Sequence, residues 1–428
     1  MSANLDSRPV PPPLLVVYAP GSPTPATLIR SLSGVADACF VILAEHAPAT
    51  LDAFPPAATI VVGAGEPERA AAWAAGRGVR GVVTYSELAL RFTAQVARTL
   101  GLPHHDVRAA ETMTDKLAQR RALAAAGVPV PAFAEIRGPG DVDGAAAAVG
   151  FPAVLKPRRG MGSALVERVT GLERLRAVVA ASWAGFDADE RLRGTDPAFV
   201  LEQQLRGVRW HEDPRFGDYV SVESLLDRGR IVHLAITDKT PLAEPFREVG
   251  HLMPSSLPDG RLAQIHEAAT AALRAVGAYH GATHTEIKLT ADGPRVIEVN
   301  GRLGGAMARL MRNAAGFDVI AVIAANALGR DDAGPPRFTR YALTYWPPPP
   351  AGIVDVTAVG GLDDIVALPG VEHLALMNPA GSTIDSRGGT STVAIVRAVG
   401  ESPADLLDLR DQIDALLRVE YRYRQEPA

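Results

Sequence analysis

The chain has 428 residues, of which 47% are hydrophobic and 21% are charged, and its formal net charge is −5. This length exceeds one ordinary hydrophobic core, so we expect roughly two to four domains, and the charge gives no indication of a nucleic-acid or membrane partner. We expect neither a transmembrane helix nor a signal peptide, because no apolar run is long enough and Met1–Pro13 is polar and proline-rich. The single cysteine, Cys39, excludes an internal disulfide and fits the reducing cytoplasm.

Residues 14–105 alternate short apolar segments with alanine-rich helical segments. We predict strands at Leu14–Tyr18, Cys39–Leu43, Thr59–Val62 and Val79–Thr84, and helices at Glu66–Ala75 and Glu87–Thr99. This βαβ pattern indicates a parallel sheet. Gly63 and Gly65 suggest a dinucleotide-binding loop, but Glu68 stands where that motif has its third glycine, so we interpret the segment as a plain strand-to-helix turn.

A glycine loop follows the next helical region. Residues 106–135, which include Lys116, are predicted to be helical, and a strand is predicted at Phe151–Lys156. A β-like segment at Ala164–Val169 lies beyond a loop that contains Gly160, Gly162 and Ser163. Such a loop can offer backbone N–H groups and a hydroxyl to phosphate oxygens. The alternative is an ordinary surface turn, and the segment lacks the GxxxxGK[ST] pattern of a P-loop.

Strands alternate with loops in the middle of the chain. We predict strands at Phe199–Gln204, Val220–Leu226 and Ile231–Asp238, a polar loop at Trp210–Asp218, and helices at Arg261–Val276 and Asp318–Leu328. Pro241–Pro258 is predicted to be irregular and contains Glu248 and His251, which are either substrate contacts or solvated loop residues. The proline-rich segment Pro335–Pro350 is interpreted as a linker. It leads into an α+β unit with strands near Arg340–Tyr345, His373–Met377 and Val393–Val399 and a helix at Pro403–Val419.

A hairpin between residues 284 and 302 carries the densest group of polar residues. Ala291-Asp292-Gly293 is predicted to be a three-residue loop that places Glu286 opposite Glu298. Because side chains alternate along strands, one face should carry Glu286, Lys288, Glu298, Asn300 and Arg302, and the buried face Ile287, Leu289, Ile297 and Val299. Two carboxylates and an amide oxygen suit magnesium, and an arginine nearby could bind a substrate carboxylate. The alternative is the polar outer face of an ordinary hairpin.

Lysine is rare in this chain. Only Lys116, Lys156, Lys239 and Lys288 occur among 43 basic residues, the others being arginine. On this background a lysine can mark a position where a compact ammonium is needed and a planar guanidinium does not fit. Chance is the alternative, and it is weakened because Lys156 precedes the glycine loop and Lys288 lies between the two glutamates.

The chain resembles the ATP-grasp superfamily over about residues 109–328. The residues that occur in the order and rough spacing of that superfamily are Lys116, Lys156 with its glycine loop, Glu202, Glu286 and Glu298-x-Asn300-x-Arg302. Within it, the chain resembles the L-amino-acid ligases of the bacilysin-synthetase type. The matching segments are Thr237-Asp238-Lys239, Glu248-x-x-His251-x-x-Pro254-Ser255, His284-x-Glu286, Asn300-Gly301-Arg302-Leu303-Gly304-Gly305, Leu368-Pro369-Gly370-Val371 and Asp385-x-x-Gly388-Gly389-Thr390.

The resemblance implies an ATP-grasp fold of mixed α/β and α+β class in three parts. These are an N-terminal Rossmann-like βαβ domain (residues 1–105), an ATP-grasp domain (106–334, with a lid at about 135–205) and a C-terminal α+β domain (335–428). It also implies a cytoplasmic, ADP-forming ligase that joins an amino acid to an amine through an acyl phosphate. ATP and two Mg²⁺ ions would be the cofactors, with Mn²⁺ able to substitute, and a homodimer is a candidate assembly.

The resemblance also assigns roles to residues. ATP would contact Lys116, Lys156, Gly160, Gly162, Ser163, Glu202, Gln203, Gln204 and Leu205, and the metal ions Glu286, Glu298 and Asn300. Glu248 would bind the α-ammonium group of the first amino acid, and His251 would orient that group or accept a proton. Arg302 would bind the reacting carboxylate, and Lys239 would reach the γ-phosphate. The ribose ligand is left open, with Glu223 as a candidate metal or ribose neighbour.

The side-chain pocket of the first substrate is expected along Leu303–Met307, where Gly304, Gly305 and Ala306 leave space and Met307 can adapt. Two alternatives to an amino-acid ligase remain at this stage. One is an ATP-grasp ligase or carboxylase acting on another carboxylate, and the other is a nucleotide-binding module without turnover. A carboxylate at position 248 favours amino acids because it can pair with an ammonium group.

Overall fold

A computed structural model describes residues 11–160, 162–186, 192, 195–330, 334–386 and 390–424. The helices are α1 (Pro25–Leu32), α2 (Pro67–Ala75), α3 (Leu90–Leu100), α4 (Val107–Met113), α5 (Lys116–Ala125), α6 (Val142–Val149), α7 (Leu172–Gly185), α8 (Asp259–Ala275), α9 (Met307–Ala315), α10 (Val319–Ala327), α11 (Leu362–Val366) and α12 (Pro403–Leu416). None of the helices in these residues is long and apolar enough to cross a membrane.

The strands fall into four sheets. They are β1 (Pro13–Tyr18), β2 (Asp37–Leu43), β3 (Thr59–Val62), β4 (Gly81–Thr84), β5 (Phe133–Ile136), β6 (Ala153–Pro157), β7 (Glu167–Val169), β8 (Phe199–Gln203), β9 (Tyr219–Asp227), β10 (Arg230–Lys239), β11 (Gly250–Met253), β12 (Gly281–Thr290), β13 (Gly293–Asn300), β14 (Tyr341–Tyr345), β15 (Ile353–Gly360), β16 (Val371–Leu376), β17 (Thr383–Asp385), β18 (Ala394–Gly400) and β19 (Arg418–Tyr423).

The N-terminal sheet has the order β3-β2-β1-β4, and its strands are parallel, as predicted. Its strands are apolar because helices cover both faces. Cys39 is buried in this core, as predicted. The side chain of Glu66 stabilises the turn after β3, because Gly63 N donates to Glu66 Oε2 at 2.7 Å. This bond agrees with the interpretation of the segment as a plain turn. Helix α1 was not predicted.

A small antiparallel sheet, β5-β8-β6-β7, faces a large antiparallel sheet of order β13-β12-β9-β10-β11-β14-β18-β16. The glycine loop connects β6 and β7, as expected. In the large sheet Glu286 pairs directly with Glu298, which confirms the predicted register at that point. The hairpin loop is one residue shorter than predicted, because Thr290 pairs with Gly293.

Two regions differ from the sequence predictions. Residues 106–135 form two helices, α4 and α5, and then enter β5. The second helix begins after Asp115, because the Asp115 carboxylate accepts hydrogen bonds from Leu117 N and Ala118 N. The segment Pro241–Pro258, predicted to be irregular, contains β11, which pairs with β10 and β14. His251 therefore lies on a strand inside the large sheet.

The C-terminal part continues the large sheet. β14 lies within the proline-rich segment predicted to be a linker and pairs with β11 and β18. β15, β17 and β19 form a separate sheet that was not predicted. The three-part division of the chain stays a prediction, since strands from the second and third parts share one sheet. Gly388 and Gly389 of the C-terminal motif lie outside the described residues.

Candidate active site

A cavity of about 260 Å³ lies between the small sheet and the large sheet. Most of the residues proposed above for ATP, metal or substrate line it. The exceptions are Glu223, Lys239, Leu303, Gly304, Ala306 and Met307. Strands from both sheets, the glycine loop and the segment around β11 therefore contribute to one space, although the residues are far apart in sequence.

The glycine loop closes one wall of the cavity. Gly160 and Gly162 have φ values of 134° and 64°, a left-handed region that suits glycine, and Ser163 also has a positive φ of 57°. Lys116 Nζ donates to Gly160 O at 3.0 Å and lies 3.0 Å from Glu298 Oε1. One ammonium group thus connects the loop to the hairpin face, at a position where it can also meet an anionic ligand.

Glu202 is held between two cations. Arg120 donates to both carboxylate oxygens of Glu202 at 2.9 Å, and Lys156 Nζ lies 2.7 Å from Oε2. Burial alone would raise the pKa of Glu202, but Arg120 and Lys156 lower it to about 2. Sequence reasoning missed Arg120, which also donates to Val296 O and Ile297 O of β13. Arg120 therefore joins α5, the small sheet and the hairpin of β12 and β13.

Gln203, Gln204 and Leu205 follow Glu202 along the cavity wall. The backbone N–H groups of Gln203 and Gln204 donate to Ala132 O and Pro152 O at 2.8 and 3.0 Å, so they are committed to the fold. In contrast, the side-chain oxygen of Gln204 is buried without a hydrogen-bond partner among the described residues. A ligand with polar ring atoms could satisfy that side chain.

Three oxygen-bearing side chains, those of Glu286, Glu298 and Asn300, line the cavity together. A register shift after Glu286 pairs Ile287 with Val296. As a result Val296 is buried, whereas Ile297 lines the cavity, contrary to the predicted buried face. Such a bulge re-aims side chains locally. The donor set of two carboxylates and one amide fits a hard cation such as magnesium.

A histidine lies behind the metal face. His284 Nδ1 is hydrogen-bonded to Glu223 Oε1, and its Nε2 lies 3.4 Å from Glu286 Oε1. Burial alone would lower the pKa of His284, but Glu223 and Glu286 raise it to about 9. Glu223 is fully buried, and its other oxygen accepts from Gly304 N at 3.0 Å. Both oxygens of Glu223 are thus engaged within the protein, and its place as a metal or ribose neighbour stays a prediction.

The other end of the cavity holds Glu248, His251 and Lys239. Lys239 Nζ donates to Glu248 Oε1 at 3.0 Å and lies 2.9 Å from His251 Nε2, which is 3.0 Å from the same carboxylate oxygen. Burial, together with Lys239, lowers the pKa of His251, so the imidazole is neutral near pH 7. Lys239 is fully buried beneath the cavity and takes part in this triangle, and its reach towards a γ-phosphate stays a prediction.

Arg302 lines the cavity beside this group, with Gly305 next to it. The neighbouring positions do not form the expected side-chain pocket. Leu303 and Met307 are buried in the core, and Ala306 packs against the same core. Only Gly305 of this run faces the cavity, and no atom lies within 4 Å of where its Cβ would be.

Tyr219 and Thr390 also line the cavity, although sequence reasoning assigned neither of them a role there. Tyr219 has a buried hydroxyl without a hydrogen-bond partner in the described part of the chain. Thr390 comes from the C-terminal part, and its Oγ1 accepts from Glu248 N at 3.2 Å. Tyr219 belongs to no motif and Thr390 ends the C-terminal motif, so the fold brings together residues from distant parts of the sequence.

Comparisons with known proteins agree with this geometry. Residues 149–309 match the family of ATP-grasp domains. An L-amino acid ligase from Bacillus licheniformis has the same fold over 97% of this chain and 99% of its own, with a TM-score of 0.75 and 21% identity. The predicted fold is thus confirmed, and the chain carries an ATP-grasp domain.

Curated relatives match part of the chain. Alanine–anticapsin ligase of Bacillus subtilis (strain 168) is 31% identical over 242 residues, which are 53% of this chain and 49% of that protein. Carnosine synthase 1 of Gallus gallus is 34% identical over 200 residues, which are 45% of this chain and 20% of that protein. Uncharacterized protein y4rH of Sinorhizobium fredii is 29% identical over 72% of this chain and 61% of its own length. The chain thus spans less than two thirds of each of these relatives.

Proposed function

We propose that this ATP-grasp protein is an ADP-forming ligase that joins the carboxylate of an amino acid to an amine. The observation that carries the proposal is one cavity in which cations, oxygen ligands and a carboxylate–imidazole pair face the same space. The names of two relatives, an alanine–anticapsin ligase and a carnosine synthase, support amino-acid substrates. The amine would belong to a second amino acid if the product is a dipeptide.

At the phosphate end of the site, the main task of the protein would be to position the phosphates of ATP. Lys116, Lys156 and the glycine loop would hold the phosphates in line with the attacking oxygen, which is the main requirement of phosphoryl transfer. Glu202 fixes Lys156 from behind, and the segment from Gln203 to Leu205 would contact the base. Magnesium, as two ions or with manganese in its place, would neutralise charge on the phosphates when bound by Glu286, Glu298 and Asn300.

The substrate end explains why an amino acid would be chosen. Arg302 would hold the carboxylate whose oxygen attacks the γ-phosphorus, while the bond from that phosphorus to the bridging oxygen of ADP breaks. The amine then attacks the acyl carbon, and inorganic phosphate leaves. Glu248 would pair with the α-ammonium group, and neutral His251 would orient Glu248 or accept the proton of the attacking amine.

Phosphate release tests this proposal most directly. The protein is mixed with ATP, magnesium and a panel of amino acids, alone and in pairs, and with matched carboxylates that lack the α-amino group. We expect release that depends on amino acids, and hydroxylamine should trap the activated carboxylate as a hydroxamate. Release with bicarbonate or with the des-amino acids alone would overturn the amino-acid assignment.

Glu298→Ala and Asn300→Ala serve as the matched inactive variants. Both side chains face the cavity, so their removal takes little apolar area out of the core. We expect phosphate release to vanish while the melting temperature without nucleotide changes little. Near-normal release by either variant would contradict the metal assignment.

A further inference from the structure

Glu87 lies beneath the substrate end of the cavity, outside every motif discussed so far. It follows β4, at the carboxyl end of the parallel N-terminal sheet. Ser86 Oγ donates to Pro20 O at 2.5 Å and accepts from Leu88 N at 3.3 Å. The backbone on both sides of Glu87 is therefore fixed to the sheet, and the side chain projects from a rigid support.

The carboxylate of Glu87 is buried in an unusual way. The residue is 8% exposed, and neither carboxylate oxygen has a hydrogen-bond partner among the described residues. Burial raises its pKa to about 7, although Arg302 opposes this shift. Burying a carboxylate without bonded partners costs free energy. Glu87 is therefore a poor choice for stability at this position.

Arg302 is the cation that faces Glu87. Its Nε lies 3.7 Å from Glu87 Oε2, within ion-pair range but beyond a good hydrogen bond. Nη1 of Arg302 donates to Leu303 O at 3.2 Å, and Nη2 makes a long contact of 3.5 Å with Asn300 Oδ1. The guanidinium thus has one edge towards the N-terminal sheet while the side chain also lines the cavity.

We propose that Glu87 is a positioning residue that holds the Nε edge of Arg302, so that the two Nη atoms can bind the carboxylate of the substrate in a fork. This inference rests on the proposed function of Arg302. It makes the N-terminal sheet a supporting part of the active site, since the rigid turn after β4 would set where the guanidinium lies. A lysine at position 302 could not be oriented in this way, because its ammonium has no planar fork.

Three substitutions and one control test the proposal. Glu87→Gln keeps the shape and removes the charge, Glu87→Asp keeps the charge at a shorter reach, and Glu68→Gln on the exposed face of α2 is the matched control. We expect Glu87→Gln to lower kcat/KM for the carboxylate substrate about tenfold or more, because the neutral amide no longer attracts the guanidinium across 3.7 Å and Arg302 loses its orientation. The KM for ATP should stay unchanged, and Glu87→Asp should recover part of the loss.

Thermal unfolding separates positioning from a structural role. We expect Glu87→Gln to melt no lower than the wild type, since the substitution removes a buried charge. Loss of activity together with a lower melting temperature would overturn the proposal, and so would wild-type kinetics. If the wild type releases no phosphate with any substrate, the proposed function fails instead. In that case the coupling between Glu87 and Arg302 is tested by unfolding alone. The unfolding midpoints are measured for Glu87→Gln, Arg302→Met and the double variant, and additive shifts in the midpoint would reject the coupling.

Discussion

Arg120→Met should strongly lower the free energy of unfolding, because Arg120 is a buried cation at the cavity wall that pairs with Glu202. It replaces a buried guanidinium by an apolar chain of similar length and leaves Glu202 with Lys156 alone. The pKa of Glu202 falls from an ordinary 4.5 to about 2, a shift that corresponds to roughly 3 kcal/mol. Arg120 also donates to two carbonyl oxygens of β13, and each lost bond adds about 1 kcal/mol. We therefore expect a loss of about 3–5 kcal/mol, as for other broken buried pairs.

The pH dependence of the free energy of unfolding shows whether Arg120→Met acts through a lost charge or through lost packing. Because the folded state lowers the pKa of Glu202, its stabilisation is present above pH 4.5 and is lost as the pH falls towards 2. The deficit of Arg120→Met relative to the wild type should therefore be constant above pH 4.5 and shrink below it. Comparing both proteins at each pH cancels the contributions of the other titrating groups to the free energy of unfolding.

Urea unfolding between pH 7 and pH 3 measures this deficit. Arg121→Met is the matched control, because Arg121 is the next residue on the same helix and its side chain is 64% exposed. The control should cost little, as exposed ion pairs do. Equal stability of the two variants at pH 7 would refute the reasoning. A deficit that does not shrink below pH 4.5 would assign the effect to packing.

Three further substitutions test the cavity. Lys156→Arg keeps the charge but needs more room beside Glu202 and the glycine loop, so we expect kcat/KM for ATP to fall about tenfold or more; unchanged steady-state kinetics would reject this. Glu248→Gln should raise the KM for the amino acid about tenfold or more at constant KM for ATP, and an unaltered amino-acid KM would move the ammonium site elsewhere. Gly305→Leu should fold normally, because open space surrounds its Cβ position, and it should lower kcat/KM for phenylalanine relative to alanine. A constant ratio would show that Gly305 does not border the side-chain pocket.

Local patterns in the sequence were enough to predict the hairpin that carries the proposed metal ligands. Alternation of polar and apolar residues gave the pairing of Glu286 with Glu298, which the structure confirms. The same alternation failed one residue later, because the register shifts after Glu286 and turns Ile297 into the cavity. Single-sequence alternation assumes a regular pleat, so an unmarked bulge is invisible to it.

Long-range ion pairs lay beyond sequence reasoning for a different reason. Arg120 is 82 residues from Glu202, and Glu87 follows a strand of the N-terminal sheet, whereas Arg302 follows a strand of the large sheet. Such partners carry no local signal, since neither residue stands in a motif or at a helical spacing from its partner. In this chain, moreover, almost every cation is an arginine, so an additional arginine attracts no notice.

Lysine was informative because it is scarce. Lys116, Lys156 and Lys288 line the cavity, and Lys239 is buried beneath it against Glu248 and His251. All four lysines of the chain therefore meet at one site, which chance placement in 428 residues does not explain. Lys116 Nζ contacts Gly160 O and Glu298, and Lys239 Nζ contacts Glu248 and His251, so each of these compact ammonium groups joins two separate partners. The two cations thus have different places in this site, with the compact ammonium groups of lysine beside the cavity and the planar forks of Arg120 and Arg302 where two donors are used together.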